Sequence, residues 1–385
     1  MKRNILFVIE SFTYGGAEKV LLVLLKYFNY DKYDVKICSI VDEGIYNDEV
    51  KKCFSTYSSI ITYKGNCISR FWNRIKYKLV YSILPLKWVY KLFIPHGNDI
   101  EIAFCEGFAT KLLAHSNAKK IAWIHTDLKD NPWPIELGLY KDVGDEAKTY
   151  TCFNKIVCVS KTVCDSFCEL YEIKGKAITI YNPIDIDEIA ENIVQKIKSR
   201  NDNSIHIISV GRLDYQKGYD RLLKVVKRLH DEGYPLQLSI LGEGEERVSL
   251  EEYIKNNKIS SFVSLLGHIN YPYQQISESD IFVCSSRAEG FSLAIAEAMI
   301  LGIPVVSTSC LGPKELLQYG KYGMLVDNSE DGIYCGLKNA INNMSVLNEN
   351  IKSAQDRILE FSPKEILNKI ESMLDTLILS NETNS

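Results

Sequence analysis

Two carboxylates pose the first chemical question. In the stretch Arg287–Ala298, RAEGFSLAIAEA, Glu289 sits on a glycine turn, and Glu297 follows eight residues later among Leu, Ala, Ile and Met. Ser292 reads as the N-cap of a helix running to about Leu301, so Glu297 lies about a turn and a half inside it. An acid buried there without a partner would cost several kcal/mol or take up a proton. A vicinal diol such as that of ribose would satisfy both oxygens. An internal salt bridge to Arg or Lys would serve as well, and both readings stand.

Cations recur at a matching place. In GRLDYQKG, Arg212 and Lys217 flank a loop and Gly218 opens a helix, which is either a diphosphate clamp or a solvated surface pair. Gly15 and Gly16 in SFTYGGAEKV precede another helix, beginning near Ala17, where backbone N–H groups and the helix dipole favour an anion. The spacing is not G-x-G-x-x-G, so the dinucleotide fingerprint is missing. His125 ends the run KKIAWIH and so belongs at the carboxyl end of a strand.

The elements that must carry these residues alternate regularly. Strand candidates are Asn4–Glu10, Val35–Val41, Asp99–Cys105, Lys120–His125, Lys155–Ser160 and Ala177–Asn182. A second series comprises Ile205–Gly211, Leu236–Gly242, Val263–Gly267, Asp280–Ser286, Pro304–Ser309 and Gly323–Asp327. Near-continuous apolar strands separated by helices predict doubly wound parallel sheets of the α/β class. The series breaks at the polar, weakly helical segment Asp185–Ser204, which includes the run KSRNDNS, so Asn182–Asp185 reads as a hinge. With 385 residues the chain exceeds one ordinary core. We therefore expect domains at 1–183 and 184–362. The helix Ser362–Leu379, with Ser362 as cap and Pro363 first, completes the N-terminal domain through residue 380, and Ser380–Ser385 reads as a frayed tail. Ligands bind at strand carboxyl ends, so two facing sheets would share a cleft.

Composition narrows the classes. The chain is 46% apolar and 24% charged with a net charge of -4, which argues against nucleic-acid binding. Eleven cysteines, an odd number with no C-x-x-C, suit buried thiols in a reducing compartment. The pair Cys164 and Cys168 shares a helix face, read as ordinary packing ahead of a redox or metal role. The initial apolar run stops at Glu10, too soon for a signal peptide, and no run approaches membrane-spanning length. The expectation is a cytoplasmic protein.

One stretch reverses the overall charge. Cys67–Asn98 contains no acid but carries Arg70, Arg74, Lys76, Lys78, Lys87 and Lys91 beside Phe71, Trp72, Tyr77, Tyr81, Trp88, Tyr90 and Phe93. Two amphipathic helices split at Pro85 would suit docking on an anionic membrane surface, with Arg70, Trp72, Arg74, Lys76, Lys78, Lys87, Trp88 and Lys91 in contact. The other reading packs the aromatics inward and leaves the cations solvated.

The pieces GGAEKV (Gly15–Val20), His125, GRLDYQKG (Gly211–Gly218), the E-x7-E pair and GIPVVSTSCLGPKELL (Gly302–Leu317) resemble family four of the retaining glycosyltransferases. That family adopts the GT-B fold, two Rossmann-like domains facing across a cleft. The likeness is dense from about Ser204 to Asp327 and thinner from 4 to 183. It implies that Arg212 and Lys217 bind the donor diphosphate and stabilise the leaving group without metal or cofactor. It implies that Glu297 holds the ribose, while Glu289 and the backbone of Gly290, Phe291, Ser292 and Leu293 grip sugar and phosphates. Gly15 and Gly16 would lie near the donor phosphates or the acceptor, and His125 near the reacting carbon of the sugar. His125, Glu289, Arg212 and Lys217 form the implied catalytic set. A glycoside hydrolase's acid and base would be a different use of paired glutamates, but Glu297 would then face the nucleotide. The resemblance implies retaining hexosyl or N-acetylhexosaminyl transfer from a nucleotide sugar, a UDP-sugar foremost, while the basic aromatic stretch points to a glycan acceptor on a polyprenyl diphosphate, for a cell-surface polysaccharide. A sugar-nucleotide epimerase or a non-catalytic donor-binding subunit are the competing readings.

Overall fold

The computed structural model describes residues 2–13, 15–54, 56–62, 67–193 and 203–382. The chain divides into two compact units. One runs to Tyr181 and takes in the chain from Pro363 onward; the other is Asn182–Ser362. Helix Ile186–Glu191 opens the second unit; residues 194–202, which include most of the KSRNDNS run, lie outside the described residues.

Among the described residues the N-terminal unit carries seven strands: β1 (Arg3–Ile9), β2 (Tyr33–Asp42), β3 (Tyr57–Thr62), β4 (Ile100–Ala103), β5 (Lys119–Ile124), β6 (Lys155–Cys158) and β7 (Ala177–Thr179). Their order is β3-β2-β1-β4-β5-β6-β7, with parallel pairing throughout, as in Ile5 opposite both Val35 and Ile100. Ile5–Ile9 are buried without interruption because helices cover both faces of the sheet. β3 corrects the six-strand expectation. Its sequence YSSIIT has only Ile60 and Ile61 fully buried, a sparse signal that an edge strand can tolerate.

The second unit has β8 (Ile205–Val210), β9 (Leu236–Leu241), β10 (Val263–Gly267), β11 (Ile281–Cys284), β12 (Val305–Thr308) and β13 (Met324–Val326), ordered β10-β9-β8-β11-β12-β13. Helix Tyr219–Asp231 shows why these helices form: Leu222, Leu223, Val225, Val226 and Leu229 make one buried stripe at helical spacing. Both sheets reverse strand order once, between β1 and β4 and between β8 and β11. At such a switch the flanking loops diverge and leave a crevice.

The terminal helix Pro363–Glu382 extends three residues beyond the expected Leu379, through the start of the supposed tail. It packs on helix Gly16–Tyr27 and buries Ile366, Ile370, Met373, Leu374 and Leu377. Asp375 accepts hydrogen bonds from Lys32 at 2.5 Å and from the Tyr33 hydroxyl at 3.0 Å, which fixes the helix on the N-terminal unit.

Candidate functional site

A dense polar construction follows β8 and β11. After β8 the chain turns through Gly211 and Arg212, and the Asp214 side chain accepts the Lys217 N–H at 3.1 Å, capping the turn Tyr215–Lys217. Gly218 then adopts φ +66, where any L side chain is strained, and a Cβ there would stand 2.4 Å from the Ser285 carbonyl oxygen. That close approach, with the Ser285 hydroxyl donating to the Lys217 carbonyl at 2.8 Å, brings the β8 loop onto the β11 loop.

Across this junction Lys217 Nζ donates to Glu289 Oε1, and the Ser286 hydroxyl donates to the same oxygen at 2.9 Å. Burial alone would lower the lysine pKa, but the Glu289 charge and hydrogen bond outweigh it and hold it above the ordinary value. Removing one partner of such a pair strands the other in a poorly solvated site, at a cost of about 3–5 kcal/mol. Behind Glu289, its carbonyl accepts the Gly312 N–H at 3.0 Å, and a Cβ on Gly312 would meet Gly290 backbone at 2.5 Å.

Ser292 caps helix Leu293–Ile300, its hydroxyl oxygen accepting the Ile295 N–H at 3.4 Å. The first N–H groups of that helix have no acceptor within it and carry its positive dipole end. Gly290, Phe291 and Ser292 are buried beside them, and Glu297 is 6% exposed between Ala296 and Ala298. Lys217, Glu289 and the helix N-terminus thus meet at one junction of the second unit, and Glu297 lies farther along the same helix. This set can neutralise a diphosphate and offer acceptors to hydroxyls.

Arg212 does not join the pair. Its side chain is 53% exposed and its Nε lies 3.2 Å from Asp214, on the same loop as Lys217. Gly15, Gly16 and His125 belong to the N-terminal unit. Gly15 is the N-cap of helix Gly16–Tyr27, with the Glu18 carboxylate so close that a Cβ would fall 1.9 Å from it. His125 follows β5, and its Nε2 lies 3.0 Å from the Phe104 carbonyl oxygen. A carbonyl only accepts, so Nε2 bears the hydrogen and Nδ1 is left as an acceptor. Burial drives the imidazole pKa down to about 3, so the ring is neutral.

Glu106, beyond β4, escapes sequence reasoning. Its Oε1 accepts the N–H groups of His125 at 2.5 Å and of Thr126 at 2.7 Å, and so fixes the backbone that carries the imidazole. Burial raises its pKa to about 7. A signal existed: Glu106-Gly107-Phe108 repeats the Glu289-Gly290-Phe291 pattern after the equivalent strand.

The basic aromatic stretch is divided. It forms helix Cys67–Lys78, a π-helical turn Leu79–Ile83 and helix Leu86–Phe93 with Pro85 as N-cap. Tyr81, Tyr90 and Phe93 pack inward, whereas Phe71 and Trp72 are 61% and 63% exposed and Tyr77, Ile83, Trp88 and Leu92 also face water. Arg70, Arg74, Lys78, Lys87 and Lys91 are exposed; Lys76 is half-buried over the Phe93 ring and stands apart from them. No helix among the described residues is long and apolar enough to cross a membrane.

Two family models divide the chain between them: glycosyltransferase family 4 matches residues 14–188, and glycosyl transferases group 1 matches residues 190–374. With both models spanning it, the chain belongs to the glycosyltransferases. An uncharacterized glycosyltransferase of Haemophilus influenzae is 26% identical over 89% of this chain and 91% of its own length. The amylovoran biosynthesis glycosyltransferase AmsD of Erwinia amylovora is 29% identical over 44% of this chain and 48% of its own. Among solved structures, Anabaena HepE in complex with UDP-glucose superposes with a TM-score of 0.77 at 18% identity, covering 97% of this glycosyltransferase and 99% of HepE. At that identity the likeness establishes a shared fold, GT-B.

Proposed function

We propose that this glycosyltransferase moves a hexosyl or N-acetylhexosaminyl group from a UDP-sugar to a glycan acceptor, with retention of configuration and without a metal. The observation that carries the reading is the Lys217–Glu289 pair set beside the capped N-terminus of helix Leu293–Ile300. A diphosphate arriving there would take over Lys217 and release Glu289 to accept hydroxyl protons from the sugar. Glu297 would accept the two ribose hydroxyls. Exposed Arg212 would swing from Asp214 to the phosphates, and His125 Nδ1 would accept a sugar hydroxyl.

In the step itself the bond from the anomeric carbon to the β-phosphate oxygen breaks, and the acceptor oxygen bonds that carbon on the same face. The acceptor proton passes to the departing phosphate, so the products are glycoside and UDP. Lys217 and the helix N–H groups stabilise the charge that develops on the leaving diphosphate. A polyprenyl-diphosphate-linked acceptor in cell-surface polysaccharide synthesis, whether capsule, O-antigen or exopolysaccharide, fits the exposed aromatics and cations of the 70–92 segment. These would dock on the anionic inner face of the cell membrane. AmsD, named for a polysaccharide's biosynthesis, supports this setting.

A panel of nucleotide sugars, read by thermal stabilisation and by release of the nucleoside diphosphate, tests the donor. A UDP-sugar should both stabilise and turn over; indifference to every UDP-sugar refutes the assignment. Sedimentation with vesicles tests docking: the protein should pellet with anionic but not neutral lipid, and equal behaviour on both discards the membrane surface.

A further inference from the structure

A second ion pair in the donor unit has no role in the reading above. Arg287 lies two residues before Glu289, and its Nη1 and Nη2 each donate to an Asp220 oxygen at 2.9 Å. Nη1 also donates to the Tyr215 carbonyl at 2.6 Å, and the guanidinium carbon lies 3.8 Å from the centre of the Tyr215 ring. The backbone takes part as well. The Arg287 N–H donates to the Gln216 carbonyl at 2.7 Å, the Gln216 amide donates to the Ala288 carbonyl at 2.8 Å, and the Asn328 amide donates to the Arg287 carbonyl at 2.7 Å. Burial alone would raise the Asp220 pKa, but Arg287 outweighs it and holds that carboxyl below its usual range.

These contacts have a common geometry. Asp220, Tyr215 and Gln216 lie on the turn and helix start that surround Lys217, whereas Arg287 and Ala288 lie on the loop that ends in Glu289. Asn328, from the loop after β13, braces the same point. We propose that Arg287, paired with Asp220, is a positioning residue that locks the Lys217 turn to the Glu289 loop, so that a nucleoside diphosphate meets a preset cation. The proposal rests on the reading of Lys217 as the diphosphate ligand. The planar fork of arginine suits the task, since it serves a bidentate carboxylate, a carbonyl and an aromatic face together, which a lysine ammonium cannot.

The test is calorimetric titration of UDP into the full-length chain. Arg287→Ala should weaken UDP by about tenfold, and Arg287→Lys should recover part of that loss. In a chain already carrying Lys217→Ala, adding Arg287→Ala should weaken UDP by less than about twofold, because the two act through one contact. Unchanged affinity in the folded Arg287→Ala chain overturns the proposal, as does a full tenfold loss added to Lys217→Ala. Thermal melts check folding, and if Arg287→Ala does not fold, Asp220→Asn and Arg287→Lys carry the same comparison. A wild-type chain that binds none of UDP, GDP and ADP overturns the donor reading and the proposal together. Wild-type binding that is indifferent to Arg287 overturns the proposal alone.

Discussion

The two units place a Glu-Gly-Phe sequence at the same topological station and surround it differently. Glu106 follows β4 and Glu289 follows β11, each the strand just across the switch from its unit's first strand. Glu289 faces the Lys217 ammonium, and further ion pairs, Arg287–Asp220 and Arg212–Asp214, stand on the same loops. Glu106 faces backbone N–H groups instead, and Glu10, at the end of β1, takes its hydrogen bond from the Tyr81 hydroxyl. Burial raises the pKa of both of these acids, whereas in the other unit the Glu289 carboxylate holds the Lys217 pKa above its ordinary value. One fold thus presents either a charge-paired rim, which we propose exchanges an internal anion for a diphosphate, or a rim without a paired cation, which we propose meets sugar hydroxyls.

The largest effect should come from removing the cation. Lys217→Ala should lower turnover of the donor by about a hundredfold to a thousandfold, as expected when charge on a leaving group loses its partner. Near-normal turnover would make the two rims equivalent and reassign Lys217 to structure. Glu297→Gln should weaken UDP by about tenfold while leaving the affinity for free inorganic diphosphate alone, since only the nucleoside carries the diol. Equal UDP affinity would restore the internal salt bridge as its role.

The rim around Glu106 is tested by pH. Glu106 has a folded pKa of about 7, above its ordinary value of 4.5, so the fold favours its protonated form. The stability this gives is fully present below pH 4.5 and is lost as pH rises through 7. The melting temperature of the N-terminal unit should therefore fall by roughly 5 °C from pH 5 to 7 on this account, and Glu106→Gln should flatten that slope. An unaltered slope would mean that Glu106 is already ionised at neutral pH. The smallest effect should be that of Tyr81→Phe, which removes the hydroxyl from Glu10 and should destabilise the N-terminal unit by about 1 kcal/mol without changing UDP affinity.

Much of this was legible in the amino-acid order, for physical reasons. Strands covered on both faces announce themselves as apolar runs, so all six strands of the second unit could be read, while β3, with Ser58 and Ser59 at an edge, could not. Glu297 stood out because an acid among Ala and Ile is costly without a purpose. The partner of Glu289 was invisible, since Lys217 lies 72 residues away and only the packing of two loops unites them. Arg287 and Glu106 drew no reading from the sequence, because burial and backbone partners are tertiary properties. In the basic stretch composition was clear, but which aromatics turn inward depends on the π-helical turn Leu79–Ile83, which no periodicity reveals.

The most direct test is a structure of the protein crystallised with UDP. The β-phosphate should lie within hydrogen-bond distance of Lys217 Nζ, with Glu289 displaced from that ammonium and both ribose hydroxyls on Glu297. Nucleotide bound elsewhere, with Lys217 still closed on Glu289, would contradict the account.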